Sequence, residues 1–156
     1  MGQERTFTDD SFAFRVQQST GTGASVFLEN FASGGNEFWN LFLSAPTGQP
    51  LSPRAYENAA RFASDVQPGL DFGGDGRGCN QSVGRFTVSD FQRDDDGLVT
   101  RLVANFEQHC EGGVPALFGD ISYRLPLTAA IIPMPPTILL MVTALLGLGM
   151  WRGRTR

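Results

Sequence analysis

The sequence predicts an all-β fold, an antiparallel β-sandwich or partly closed barrel of about seven or eight short strands, followed by one C-terminal transmembrane helix. Three observations carry this. Short apolar runs with a period of two recur between turns rich in glycine and proline. No long amphipathic helical pattern interrupts them before Arg124. From Leu125 to Trp151 there are 27 consecutive residues without a formal charge, closed by Arg152, Arg154 and Arg156.

Phe12, Phe14 and Val16 alternate with Ala13, Arg15 and Gln17, which fits a half-buried strand, with Thr6–Thr8 as a truncated predecessor. Residues 25–30 form a second strand, and Gly34-Gly35-Asn36 turns it into a third, 37–45. Its Trp39, Leu41 and Leu43 on one side and Phe38 and Phe42 on the other place it away from the water-facing edge. Pro46, Gly48, Pro50 and Pro53 exclude regular structure next. Residues 54–62 fit a helical turn through Ala55, Tyr56, Ala59 and Ala60 or an edge strand through Tyr56 and Phe62, and the strand is favoured. Residues 67–78, with five glycines, read as an irregular loop leading into Cys79.

Residues 85–93 and 99–110 flank Asp94-Asp95-Asp96-Gly97, a turn whose glycine tolerates positive φ and whose aspartates bond to turn amides. That is a β-hairpin. A last strand, 117–124, carries Ile121 and Tyr123 on one face. The domain therefore covers 1–124, with a proline-containing linker over 125–136 and a helix with an arginine-rich end over 137–156.

Pro133, Pro135 and Pro136 are excluded from a helix interior and tolerated in a first turn, so a helix begins near Pro135. Residues 137–151 rise about 22 Å, short of a hydrocarbon core of roughly 30 Å, and Ile131, Ile132 and Met134 extend the apolar length. Trp151 suits the interface and the three arginines the cytoplasmic surface. Membrane lipid is thus one expected partner, and the domain is expected outside the cytoplasm, on the periplasmic or extracellular side. Export requires a targeting segment, yet Met1–Arg5 runs into polar residues without an apolar core, so the expected start lies upstream.

The run Ile132-Pro133-Met134-Pro135-Pro136, the following apolar helix with its Leu146-Gly147-Leu148-Gly149 stretch, and the arginine end resemble the PEP-CTERM and VPLPA-CTERM class of bacterial C-terminal sorting signals. The glutamate of the Pro-Glu-Pro form is absent. The resemblance implies recognition by an exosortase-like transpeptidase, cleavage near the proline motif and release of the domain to the cell surface.

Up to Arg124 the chain has nine arginines, no lysine and all sixteen acidic residues, a balance that repels nucleic acid. Cys79 and Cys110, separated by 30 residues, are expected to form a disulfide in an exported domain. Strand alternation turns Cys110 into the core with Phe106, and His109 away from it beside Glu107. That divergence, with no C-x-x-C or H-x-x-x-H spacing, weighs against zinc.

Two readings fit the acidic residues of the glycine segment. Asp71, Asp75 and Asn80, joined by Glu107 or Glu111, offer oxygen ligands of the kind calcium takes. Alternatively the carboxylates pair with Arg77 or Arg85 and cap turn amides. His109, the only histidine, lacks a nucleophile elbow to serve, so no catalytic residue and no resident cofactor is expected.

Gly74-Asp75-Gly76-Arg77-Gly78-Cys79-Asn80 and Phe106-Glu107-Gln108-His109-Cys110-Glu111-Gly112-Gly113 resemble, together with Pro115–Gly119, a small uncharacterised domain of secreted and surface bacterial proteins. That resemblance implies no activity. The expected function is a non-enzymatic envelope or matrix protein. The alternative is a ligand-binding module for polysaccharide or calcium on the face around Glu107, His109 and the glycine segment.

Overall fold

A computed structural model describes residues 4–19, 22–31 and 34–125. Eight strands form one sheet: β1 (Ala13–Ser19), β2 (Gly23–Glu29), β3 (Phe38–Ser44), β4 (Arg54–Ala60), β5 (Gly69–Gly74), β6 (Ser82–Arg93), β7 (Val99–Cys110) and β8 (Ala116–Arg124). Their spatial order is β1-β2-β3-β5-β4-β6-β7-β8, and the sheet curls into a nearly closed, barrel-like wall. The all-β expectation and the strand count hold. The partly closed barrel, one of the two expected architectures, holds as well, whereas the purely antiparallel pattern does not: β4 meets β5 in parallel at Ala60 and Gly69, so the sheet is mixed.

The largest departure from the sequence reading is β5, expected to be part of a loop. Its glycines are what let it pair. A Cβ on Gly74 would lie 2.3 Å from the Phe38 carbonyl oxygen and 2.5 Å from the Trp39 Cα, so only a bare backbone fits between β5 and β3 there. β5 then separates β3 from β4 in space, and β4 becomes an interior strand instead of an edge. Thr6–Thr8 is not a strand; Ser11 and Phe12 close a turn onto the Thr8 carbonyl instead.

The inner face follows the period-two pattern. Val26 and Leu28 of β2, Trp39, Leu41 and Leu43 of β3, Phe86 and Val88 of β6, and Leu102, Ala104 and Phe106 of β7 are buried together. Aromatic rings knit this core. Trp39 stacks on Phe72 at 5.5 Å, Phe72 tilts against Phe106 at 5.5 Å, and Tyr56 stacks on Phe86 at 4.6 Å. The Tyr56 hydroxyl accepts from the Ser52 N–H and donates to the Ser52 carbonyl, so its polar tip is satisfied.

The β6–β7 hairpin closes as expected. Asp94 Oδ1 accepts from the N–H groups of Asp96 and Leu98, and Gly97 takes φ 82°. Among the described residues no helix is long and apolar enough to cross a membrane. The expected helix over 137–156, with Pro133, Pro135, Pro136, Arg152, Arg154 and Arg156, lies outside the described residues.

Candidate functional site

The residues singled out from the sequence fall into three places. The first is the disulfide. Cys79 follows the β5–β6 turn and Cys110 ends β7, and their sulfurs are bonded across a Cα separation of 5.1 Å. Cys79 is buried, but Cys110 is exposed, because β7 ends there and no further strand covers it. The expected inward Cys110 is therefore only half right: it reaches a buried partner from the rim.

Beside the disulfide lies a residue the sequence reading passed over. Gln108 is completely buried, and its amide is fully used. Its Oε1 accepts from the Phe72 N–H at 2.8 Å, while Nε2 donates to the Phe72 carbonyl at 3.0 Å and approaches Cys79 Sγ at 3.1 Å. β4 touches β5 at one residue pair only, so the middle of β5 lacks a strand on that side. Gln108 replaces the missing ladder there, bonding N–H and C=O of one residue as a neighbouring strand would.

The second place is the loop set Asp71, Asp75, Arg77, Asn80 and Glu111. Asp71 pairs with Arg61 at 3.3 Å, Asp75 with Arg77 at 3.7 Å, and Glu111 Oε1 accepts from the N–H groups of Asn80 and Gln81 at 2.6 and 3.3 Å. Arg61 also donates to the Asn80 carbonyl. The Asp75–Arg77 pair and the capping by Glu111 match one of the two sequence readings, whereas Asp71 pairs with Arg61 and not with Arg77 or Arg85. Among the described residues no three His, Cys, Asp or Glu side chains converge to hold a metal ion.

The third place is the outer face of β6 and β7, where Glu107 and His109 stand side by side as alternation requires. Glu107 Oε1 lies 2.9 Å from His109 Nε2, and Arg85 of β6, directly opposite Glu107 in the ladder, lies 2.6 Å from its Oε2. His109 Nδ1 faces the Gly113 carbonyl at 3.2 Å. Both ring nitrogens thus face acceptors, and the imidazolium form satisfies both. The Glu107 hydrogen bond, followed by the Gly113 carbonyl, holds the His109 pKa above its ordinary value, against a partial desolvation. The same bond, reinforced by Arg85, holds Glu107 below the ordinary carboxylate value.

This triad lines a shallow groove of about 360 Å³, whose other wall is β4. A β-bulge between Tyr56 and Ala59 turns Glu57 and Asn58 toward it, and Asn58 takes φ 55°, a left-handed conformation that asparagine tolerates better than most residues. Gln67 donates to the Asn58 carbonyl at 3.4 Å and completes the rim. Glu57, Asn58 and Gln67 were not found from the sequence. The only signal was an asparagine inside a strand pattern, which fits a bulge.

A second, more apolar groove of about 230 Å³ crosses the outer face of β2, β3 and β5. Phe27, Phe42 and Phe62 line it with Ser25, Asn40 and Asp71. Phe62 is exposed, and the Arg61 guanidinium lies 5.0 Å from its ring centre.

No protein-family model, no curated protein and no solved structure matches this chain.

Proposed function

We propose that this chain is a non-enzymatic exported protein of the cell envelope or extracellular matrix, held at the inner membrane by its C-terminal sorting helix until that helix is cleaved. The observation that carries the reading is the Cys79–Cys110 bond. Such a bond persists in oxidising compartments and is rare where thiols are kept reduced, so it and the uncharged C-terminal segment point to the same side of the membrane. Processing near Pro133, Pro135 and Pro136 by an exosortase-like transpeptidase completes the reading. The commitment of both His109 ring nitrogens to acceptors also supports a non-catalytic role, since a general base needs a free lone pair.

Expression of the gene from its own locus in its host, cell fractionation and an intact mass test this. The reading expects an envelope-associated protein whose mass shows a truncated tail. A full-length tail recovered from the inner membrane leaves a plain anchor and removes the sorting step.

A second reading, a polysaccharide-binding module, is favoured by one observation: the phenylalanine-lined groove of β2, β3 and β5, which Asn40, Ser25 and Asp71 also line. Its test is electrophoresis in gels containing envelope glycans. Phe62→Ala is expected to abolish any retardation of the native protein, and a mobility unaffected by glycan removes this reading.

A further inference from the structure

We propose that β8 is the surface through which two copies of this chain pair edge to edge, antiparallel and in register about Ser122. β8 stands at one end of the strand order, and among the described residues it is hydrogen-bonded to β7 alone. The Leu125 N–H donates to the Thr100 carbonyl, which sets the phase of the ladder. Odd-numbered residues of β8 bond to β7, and the N–H and C=O groups of Phe118, Asp120, Ser122 and Arg124 point to the open edge. A second antiparallel strand must therefore pair with these even positions.

Charge selects the register. Arg124 lies directly opposite Arg101 on β7, and Asp90 is already bound to Arg101 at 2.6 Å. Like charges facing each other across a ladder are destabilising, so Arg124 calls for a carboxylate. Among the described residues no ion pair engages Arg124 or Asp120. Centring a two-fold on Ser122 sets Asp120 of each copy opposite Arg124 of the other, twice. Centring it on Asp120 instead opposes two carboxylates, and centring it on Ile121 leaves Asp120 facing Ser122.

The same register serves the apolar side. Ile121 and Tyr123, half-buried at the rim of the core, come opposite Tyr123 and Ile121 of the second copy, in the closely spaced pairs where side chains touch. Pro126 has no N–H to offer, so the ladder runs from Gly119 to Leu125 and adds about six inter-chain hydrogen bonds. The interface is isologous and closes on itself, so it makes a dimer and not a fibre.

Position-specific cross-linking of the full chain in mild detergent tests this. Paired Ser122 residues place their Cα atoms about 5.5 Å apart, within disulfide range. Ser122→Cys is expected to form a covalent dimer on mild oxidation, while Gln92→Cys, exposed on β6, stays monomeric. On the Ser122→Cys background, Asp120→Arg and Arg124→Asp alone each lower cross-linking about tenfold, and the two together restore it. Association through the tail does not reproduce that restoration. Hydrogen exchange on the unaltered chain is a second measurement: the amides of Asp120, Ser122 and Arg124 slow as protein concentration rises. Equal cross-linking at positions 92 and 122, no recovery in the double swap, or exchange independent of concentration overturns the proposal.

Discussion

At the scale of single residues, Gln108 has the most to lose. Replacing it with leucine keeps the volume but strips the Phe72 N–H and C=O of their partners inside the core. Gln108→Leu is expected to cost about 3 kcal/mol in urea unfolding, with the disulfide intact. A cost under 1 kcal/mol shows that water or a shifted β4 takes the amide's place. The Glu107–His109 pair predicts a pH window. His109 titrates above its ordinary 6.5, so its contribution is complete below 6.5 and fades as pH rises through the elevated value. Glu107 titrates below its ordinary 4.5, so its contribution is complete above 4.5 and fades as pH falls through the depressed value. Both partners are charged between those limits. NMR titration of the His109 ring should give a midpoint above 6.5 that drops toward it in Glu107→Gln; an unchanged midpoint assigns the shift elsewhere. The pair was legible because strand alternation sets Glu107 and His109 on one face. Gln108 was not, because a polar residue at an inward position gains meaning only when its partner, a backbone 36 residues away, is known.

At the scale of elements, the strands with alternating apolar residues were legible and β5 was not. Gly69-Leu70-Asp71-Phe72-Gly73-Gly74 has too few side chains to show a period, and its glycines read as turn signals. They serve close approach instead. Gly74→Ala forces a Cβ onto the Phe38 carbonyl and the Trp39 Cα, both backbone atoms that cannot swing aside. A loss of about 1–3 kcal/mol is expected, with faster amide exchange at β3 and β5. A neutral substitution means that the strands are less tightly apposed than described. The bulge in β4 escaped for a similar reason: an extra residue changes the register without changing composition.

At the scale of the whole molecule, the disulfide and the nearly closed sheet work on different states of the chain. The sheet orders the core, whereas the Cys79–Cys110 bond, closing a 31-residue separation, restricts the unfolded ensemble by about 3.7 kcal/mol on the chain-entropy account. The double variant Cys79→Ala/Cys110→Ala should lower Tm by roughly 15 °C while keeping the strand signature in circular dichroism. Loss of all β structure would make the bond a condition of folding and not an addition to it. Fold class, the hairpin and the cysteine pairing follow from local patterns. The order in which strands meet does not, because β5 crosses between β3 and β4 through backbone contacts that leave no side-chain trace.

The most direct measurement is alkylation of the protein in intact host cells, quenched with acid and denatured without reductant, followed by mass spectrometry of the peptides carrying Cys79 and Cys110. An oxidising, exported location predicts one linked peptide pair and no alkylated thiol at either position. Both cysteines recovered as alkylated thiols from the cytosolic fraction would contradict it.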